Sequence, residues 1–382
     1  MEKKQVDDMN LRLLVFSSAK ELGEKVDRHL LKKYDLSPDE YTFILPISER
    51  FFEDGHLKIE INSTVRGKEI FALTDIGNYS ITYKMHGFFN HMSPNDLLMQ
   101  LKDGIGACNS HADKINIIMP LLYAGRQHRR NIRENLLCGQ TLHEIELNKH
   151  IRSIITFDAH DQGVEHALTD IEFDNFYPSN VILKRLINDL DVEDLKRLTI
   201  VAPDNGAAGR RNVILNSLNS DYVNIEAGSF IKQRDYNIVV DGANPIISHD
   251  YCGNNDLKGK TAIIVDDMIS SGSSMFDCID RLKELGIKKL FIIVTYALFT
   301  RGVDKFNEYY KANKFDGVYT TNLSYIPKEY ESLEWLKVCD CSEVVADAIY
   351  KINSNRSITK LIKDKSEPIR LVDNKFEKNK RK

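Results

Sequence analysis

Short apolar runs with no polar alternation recur along this chain, and they constrain its fold more than any other feature. Residues 11–18 (LRLLVFSS), 69–76 (EIFALTDI), 115–122 (INIIMPLL), 153–160 (SIITFDAH), 198–204 (LTIVAPD), 261–267 (TAIIVDD) and 289–299 (KLFIIVTYALF) are each of strand length. A strand with one solvated face alternates apolar and polar residues, whereas a continuous apolar run requires cover on both faces. Between these runs lie segments with apolar residues at helical spacing, such as 95–108, 180–190 and 275–286. Strands separated by helices predict parallel sheets sandwiched between helix layers, an α/β architecture. The 382 residues allow two domains of ordinary size, each with a sheet of about five strands. The boundary is expected near Pro178, giving domains 1–178 and 179–341, with a helix over 342–362 expected to rejoin the first.

Composition removes several classes of function. Hydrophobic residues make up 42% and charged residues 28%, a balance able to bury a core, and the formal net charge of −4 gives no field for nucleic acid. The N-terminal MEKKQVDDMN lacks the apolar core of a secretion signal, and no run approaches the ~20 apolar residues that span a bilayer. Cys108, Cys138, Cys252, Cys278, Cys339 and Cys341 contain no C-x-x-C pair, so they are expected to be reduced thiols of a cytoplasmic protein. The basic end over 363–382 reads as a disordered tail.

The segment from 261 to 286, TAIIVDDMISSGSSMFDCIDRLKELG, carries most chemistry. A buried strand is expected to end in Asp266 and Asp267, followed by a turn of Ser270, Ser271, Gly272, Ser273 and Ser274 and then a helix. Such a turn offers backbone N–H groups, hydroxyls and a helix N-terminus to a phosphate, and glycine permits close approach. The two acids can hold sugar hydroxyls or Mg²⁺. Simple strand termination and helix capping account for one serine, but not for two acids and five small residues together. A P-loop is absent, because no G-x-x-x-x-G-K-[ST] occurs.

This segment resembles the phosphoribosyl-diphosphate loop shared by type I phosphoribosyltransferases and ribose-phosphate diphosphokinases. Other segments resemble the diphosphokinase family specifically, in its order. RFFEDGHLKIEINSTVRGKEIFAL (50–73) is similar to its F-x-D-G-E and V-R-G-x-x-V stretches, YAGRQHRR (123–130) to Y-A-R-Q-D-R-K, and FDAHDQGVEHAL (157–168) to its D-L-H segment. DNFY (174–177) matches D-N-x-Y, VAPDNGAAGRRN (201–212) resembles S-P-D-x-G-G-x-x-R, and SFIKQRDYN (229–237) resembles the K-x-R flexible loop.

The resemblance implies two phosphoribosyltransferase-like domains, each a mostly parallel sheet flanked by helices. It implies transfer of the pyrophosphoryl group of ATP to the C1 hydroxyl of ribose 5-phosphate with Mg²⁺. By resemblance, Phe52, Asp54, His56, Arg126, Gln127, His128 and Arg133 face ATP, and Arg forks suit its phosphates. Asp266, Asp267 and Ser270 to Ser274 hold ribose 5-phosphate, and Asp204, Asn205, Gly206 and Ala207 form a pyrophosphate loop. His160 and Asp204 ligate the metal, and Lys232 and Arg234, with His160, are catalytic. In the family, Phe52's counterpart reaches a neighbouring subunit's site, which implies a homo-oligomer built from dimers, with a hexamer as one form.

Some positions depart from the pattern. Ser270 stands where the family has a third acid, Ser273 replaces a glycine, and His56 and His128 replace acidic residues. These changes open a second reading, a catalytically weak regulatory homologue that binds a phosphoribosyl ligand or a catalytic partner. A transferase that consumes phosphoribosyl diphosphate is a third.

Overall fold

The computed structural model describes the whole chain except residues 1–2, 7–8, 110, 131–132, 224, 235–245, 255, 365 and 381–382; for 232–234, 246–249 and 363 it describes the backbone alone. The chain divides into two compact units. The first holds residues 1–178, 322–325 and 340–363, and the second 179–321, 326–339 and 364–382.

The first unit is built on five parallel strands in the order β11-β10-β9-β6-β2: β2 (Leu11–Val15), β6 (Glu69–Leu73), β9 (Lys114–Ile118), β10 (Ile151–Phe157) and β11 (Glu172–Phe176). Helices α1 (Lys20–Lys33), α2 (Pro94–Cys108) and α3 (Leu137–Glu146) belong to it, as do α9 (Ser342–Asn353) and α10 (Thr359–Lys363). α2 begins at a reciprocal cap: Ser93 and Asp96 each accept the other's backbone N–H, and Pro94 needs no N–H partner there. Three small pairings lie outside the main sheet: β1 (Lys4–Gln5) with β3 (Tyr41–Thr42), and the hairpins β4 (Ile47–Phe51) with β5 (Leu57–Ile61) and β7 (Thr82–Met85) with β8 (Phe88–His91).

The second unit has a seven-stranded sheet in the order β14-β13-β12-β15-β16-β17-β18. Its strands are β12 (Leu198–Ala202), β13 (Glu226–Arg234), β14 (Ile246–Cys252), β15 (Thr261–Ile269), β16 (Lys289–Ala297), β17 (Gly317–Thr321) and β18 (Leu336–Cys339). Every pairing is parallel except that of the edge strand β14 with β13. Helices α4 (Ser179–Asp189), α5 (Val192–Lys196), α6 (Ala208–Leu218), α7 (Ser273–Glu284), α8 (Asp304–Lys311) and α11 (Ser366–Lys380) accompany it. Successive strand residues point to opposite faces, and both faces are covered. Val201, Ile264 and Ile292 pack with Ile279 and Leu282 of α7, while Ile200, Ile263 and Ile293 pack with Ile182 and Leu186 of α4 and Leu218 of α6. The α/β expectation holds, and the second sheet is larger than the five strands the apolar runs suggest, because short or edge strands such as β14 and β18 lack a long apolar run.

The tail expectation fails. Residues 366–380 form α11, with Val372 and Phe376 buried. Phe376 stacks on Tyr222 with ring centroids 5.5 Å apart and planes 7° apart. Lys375 Nζ donates to the carbonyls of Ile187, Asn188 and Leu190, satisfying acceptors at the end of α4 that the helix itself leaves open. Apolar residues at i and i+4 within a charged segment make one buried stripe and a solvated remainder.

α9 packs in the first unit beside α1. Lys33 pairs with Asp347, the Tyr34 hydroxyl donates to Asn353 Oδ1 at 3.1 Å, and the Tyr34 and Tyr350 rings meet edge-on at 5.2 Å. The short return 322–325 is held by Asp75, just past β6. Asp75 Oδ1 accepts from Ser324 Oγ and the Gly77 N–H, both at 2.9 Å, and Oδ2 accepts from the Tyr325 N–H at 2.7 Å. Burial raises this carboxyl to about 6 in spite of those donors.

Two outcomes follow. Phe376→Ala should lower unfolding free energy by about 3 kcal/mol, read from urea titration. Asp75 binds its proton more tightly folded than unfolded, so its stabilising contribution is complete below about pH 4 and is lost as pH rises through about 6. Melting temperatures across pH 4–7 should therefore fall less steeply with rising pH in Asp75→Asn than in the parent, the parent's extra slope integrating to about 2–3 kcal/mol.

Candidate active site

In a parallel sheet all C-terminal strand ends lie on one edge, where α/β proteins place ligands. In the second unit that edge gathers Asp204 after β12, the end of β15, and the run of β13 beyond its partner. The last β12–β13 pair is Ala202 with Ser229, so the backbone at Lys232 and Arg234 continues past β12, paired with β14 at His249 and Ile246. The side chains of Lys232 and Arg234 lie outside the description, as do residues 235–245.

The acid pair sits differently from the sequence pattern. β15 does not end at Asp267; its pairing with β16 continues to Ile269 opposite Ala297. The acids therefore lie within the strand, and the Asp266 and Asp267 carboxyls come within hydrogen-bonding reach of each other. Asp266 Oδ1 accepts the Asp267 N–H and Asp267 Oδ1 accepts the Met268 N–H, both at 2.9 Å. Burial, then the carboxylates of Asp267 and Asp204, push Asp266 well above the usual carboxylate range. Three acids thus share one small region. Asp204 Oδ1 accepts the Ala207 N–H at 3.2 Å, closing the 204–207 loop onto the start of α6.

The small-residue turn is shorter than its sequence suggests, since Ser273 and Ser274 already belong to the first turn of α7. Gly272 stands at the helix entry with φ +82°, and a Cβ there would lie 2.8 Å from the Phe306 ring. Backbone sign and packing both demand glycine at this point. The hydroxyls of Ser271 and Ser273 are 3.1 Å apart.

Sequence reading passed over Arg210 of α6. Its side chain is 12% exposed, and Nη2 lies 3.9 Å from Asp267 Oδ2, a charge partner for the buried acid. Its signal was the Arg-Arg pair closing VAPDNGAAGRRN. Arg211 braces β13 instead, donating to the Gly228 carbonyl at 3.0 Å and to Ser229 Oγ.

In the first unit the corresponding edge carries the loop after β9 and the turn after β10. Arg126 and Gln127 are exposed on a tight turn, where Ala124 has φ +52° and its carbonyl accepts the Gln127 N–H at 2.7 Å. Arg133 is exposed too, beyond residues 131–132, which are not described. His128 comes to the β10 end: its ring centroid is 5.4 Å from that of His160, and Nε2 is 3.2 Å from Asp161 Oδ2. Arg129 donates to the same oxygen at 3.0 Å. Hydrogen bonds from the Gly163 N–H and Arg129, with His128 beside it, hold Asp161 below the usual range. The His160 turn is fixed by Asp158, buried with φ +42°, and by Asn175 of β11, whose Oδ1 accepts the Ala159 N–H at 3.1 Å. Asn175 was visible only as part of the DNFY segment.

Phe52, Asp54 and His56 occupy the turn between β4 and β5, away from the sheet's own residues. Phe52 is 55% exposed, so it is no core aromatic. His56 lies over Asp54, with Nδ1 3.2 Å from Oδ2, and the backbone N–H of His56, more than its ring, holds Asp54 below its ordinary range.

Comparison with known proteins follows the same two halves. Residues 11–144 match the N-terminal domain of ribose phosphate pyrophosphokinase, and residues 174–324 match the phosphoribosyl transferase domain. The chain belongs to the ribose-phosphate pyrophosphokinase family. It is 25% identical over 359 residues to the ribose-phosphate pyrophosphokinase of Gloeobacter violaceus, covering 93% of this chain and 94% of that protein. With the ribose-phosphate pyrophosphokinase of Vibrio cholerae it shares 25% over 310 residues, 81% of this chain and 88% of the other. Phosphoribosylpyrophosphate synthetase from Mycobacterium smegmatis has the same fold, with a TM-score of 0.70 at 21% identity, covering 91% of this chain and 99% of that one. The architecture is therefore that of this pyrophosphokinase family, two phosphoribosyltransferase-type domains. Among the described residues no helix is long and apolar enough to cross a membrane.

Gly272→Ala should cost about 1–2 kcal/mol from the left-handed backbone alone, before the Phe306 contact adds to it. Urea unfolding checks this; an unchanged midpoint would mean that the turn relaxes freely.

Proposed function

We propose that this protein is a magnesium-dependent ribose-phosphate diphosphokinase that converts ATP and ribose 5-phosphate to 5-phosphoribosyl 1-diphosphate and AMP. The observation that carries this reading is the match along nearly the whole length of relatives bearing that name, spanning both the nucleotide-side and phosphoribosyl-side halves.

The roles divide by chemistry. The Ser270–Ser274 turn and the α7 N-terminus take the 5-phosphate, while Asp266 and Asp267 accept from ribose hydroxyls. A protonated Asp266 can also donate, which its raised affinity for a proton favours. Arg126, Gln127 and Arg133 bind the triphosphate, and Phe52, Asp54, His56 and His128 contact the nucleoside side. The C1 oxygen attacks the β-phosphorus, the bond from that phosphorus to the α–β bridging oxygen breaks, and AMP leaves with the electron pair while the hydroxyl proton is released. Lys232 and Arg234 stabilise negative charge on the transferred group and the leaving phosphate.

The donor set suits Mg²⁺. Burial and the neighbouring carboxylates of Asp267 and Asp204 press on Asp266, a local excess of negative charge that a divalent cation held by oxygen ligands would relieve. Asp204 would hold it within the second unit, and His160, on the first unit, has its metal role from the family resemblance alone; when bound, the ion would supply charge neutralisation for the triphosphate. Asn205, Gly206 and Ala207 give the loop around Asp204 its backbone N–H groups for pyrophosphate. A homo-oligomer follows if Phe52 serves a neighbouring copy's nucleotide. Ser270, His56 and His128, standing in place of acids, favour the alternative of a weakly active regulatory homologue.

Purified protein with Mg²⁺, ATP and ribose 5-phosphate should yield AMP and phosphoribosyl diphosphate in equal amounts, followed by ³¹P NMR. Lys232→Ala should reduce turnover about 10²-fold or more, with KM for either substrate little changed. His160→Ala should also lose activity while keeping its melting temperature. No AMP under any magnesium or phosphate concentration would overturn the diphosphokinase reading in favour of the regulatory one.

A further inference from the structure

The turn carrying Phe52 belongs to a two-stranded hairpin, and such hairpins are barely stable alone. Its root is fixed: Glu49 of β4 accepts the Ser17 N–H at 3.0 Å and Gln100 Nε2 at 2.9 Å. Its tip has internal bonds, the Phe52 N–H to the His56 carbonyl at 2.8 Å and the Gly55 N–H to the Phe52 carbonyl at 2.9 Å. Neither set fixes where the tip points.

The second hairpin, β7–β8, does. Phe51 stacks on Tyr83 of β7 with centroids 4.4 Å apart and planes 17° apart. His86, in the β7–β8 turn, donates its backbone N–H to the Glu53 carbonyl at 3.0 Å. Gly55, at φ +92°, lies against Met85 so closely that a Cβ would come 2.5 Å from Sδ. The three contacts touch the start, middle and end of the turn, whereas Phe52 itself stays 55% exposed.

We infer that the β7–β8 hairpin is the mount for the 52–56 turn, and that Tyr83 and Met85 are positioning residues for the contact Phe52 makes with a nucleotide base. The base contact rests on the proposed function; the mount rests on the hairpin contacts alone. An aromatic ring recognises a base through a fixed plane at a fixed offset, and a ring on a loose tip surrenders that gain to ordering entropy. Tyr83 holds the ring's neighbour, and the backbone bond from His86 holds the peptide that follows it. Tyr83 and Met85 act through the turn, by their contacts to Phe51 and Gly55, so their effect falls on affinity on the nucleotide side.

The test compares full-length parent, Tyr83→Ala, Tyr83→Phe, Met85→Ala and Phe52→Ala by hydrogen exchange and by steady-state kinetics. In Tyr83→Ala, exchange across residues 52–56 and KM for ATP should each rise by about tenfold, the size expected for losing one aromatic stack. KM for ribose 5-phosphate and kcat should stay within about twofold, since neither depends on a contact to the base. Tyr83→Phe keeps the stack and should restore both readouts. Met85→Ala gives the same pattern more weakly and decides the matter should Tyr83→Ala fail to fold. Unchanged exchange over 52–56 in both alanine variants, or no rescue by phenylalanine, overturns the mount. Faster exchange with unchanged KM for ATP, where Phe52→Ala does raise it, overturns the positioning role. A parent that makes no AMP, or a Phe52→Ala with unaltered KM, counts against the functional reading instead, and the exchange comparison still decides the mount.

Discussion

Parallel strand pairing is the constraint from which the rest follows. It forces every strand of a sheet to leave in the same direction, so the polar turns after β12 and β15, and those after β9 and β10, gather on one edge of their own sheet. It also needs helices to carry the chain back, and those helices bury both faces. The apolar runs and the acid-bearing turns are thus two results of one geometry: apolar where the strand is covered, polar where it emerges.

That geometry explains why so much was legible. The buried strands could be read because no regular polar alternation interrupts them; β2, β6, β9, β10, β12, β15 and β16 each coincide with or overlap an apolar run. The elements that escaped are those whose burial is partial. β14 is an antiparallel edge strand in a segment without an apolar run. In the β7–β8 hairpin, β7 alternates exposed and half-buried residues and β8 is mostly exposed, over only four positions per strand, too few for periodicity to show. Its His86-Gly87 turn, with both residues at positive φ, was the available sign. α11 hid behind its lysines, because composition averages over faces whereas burial depends on where Val372 and Phe376 fall.

In the candidate site, residue types were legible and their surroundings were not. Asp266 and Asp267 stood out as a pair, but their placement within β15, and the crowding with Asp204, depends on pairing with β16 and β12. Likewise His128 looked like a simple replacement in an arginine-rich run. Only the fold shows that its ring lies beside His160 and against Asp161, so that a change at one position touches the neighbourhood of another.

The chain threads back into its first unit twice, at 322–325 and at 340–363, before ending in the second. A single cut cannot release either unit whole. During synthesis the early part of the chain must wait for its partners: the Asp75 pocket stays unfilled until Ser324 and Tyr325 are made, 249 and 250 residues later, and the end of α1 until Asn353, 319 residues after Tyr34. Such interleaving ties the maturation of the two units together in time, and any attempt to exchange one unit for a relative's would have to transplant three separate stretches at once.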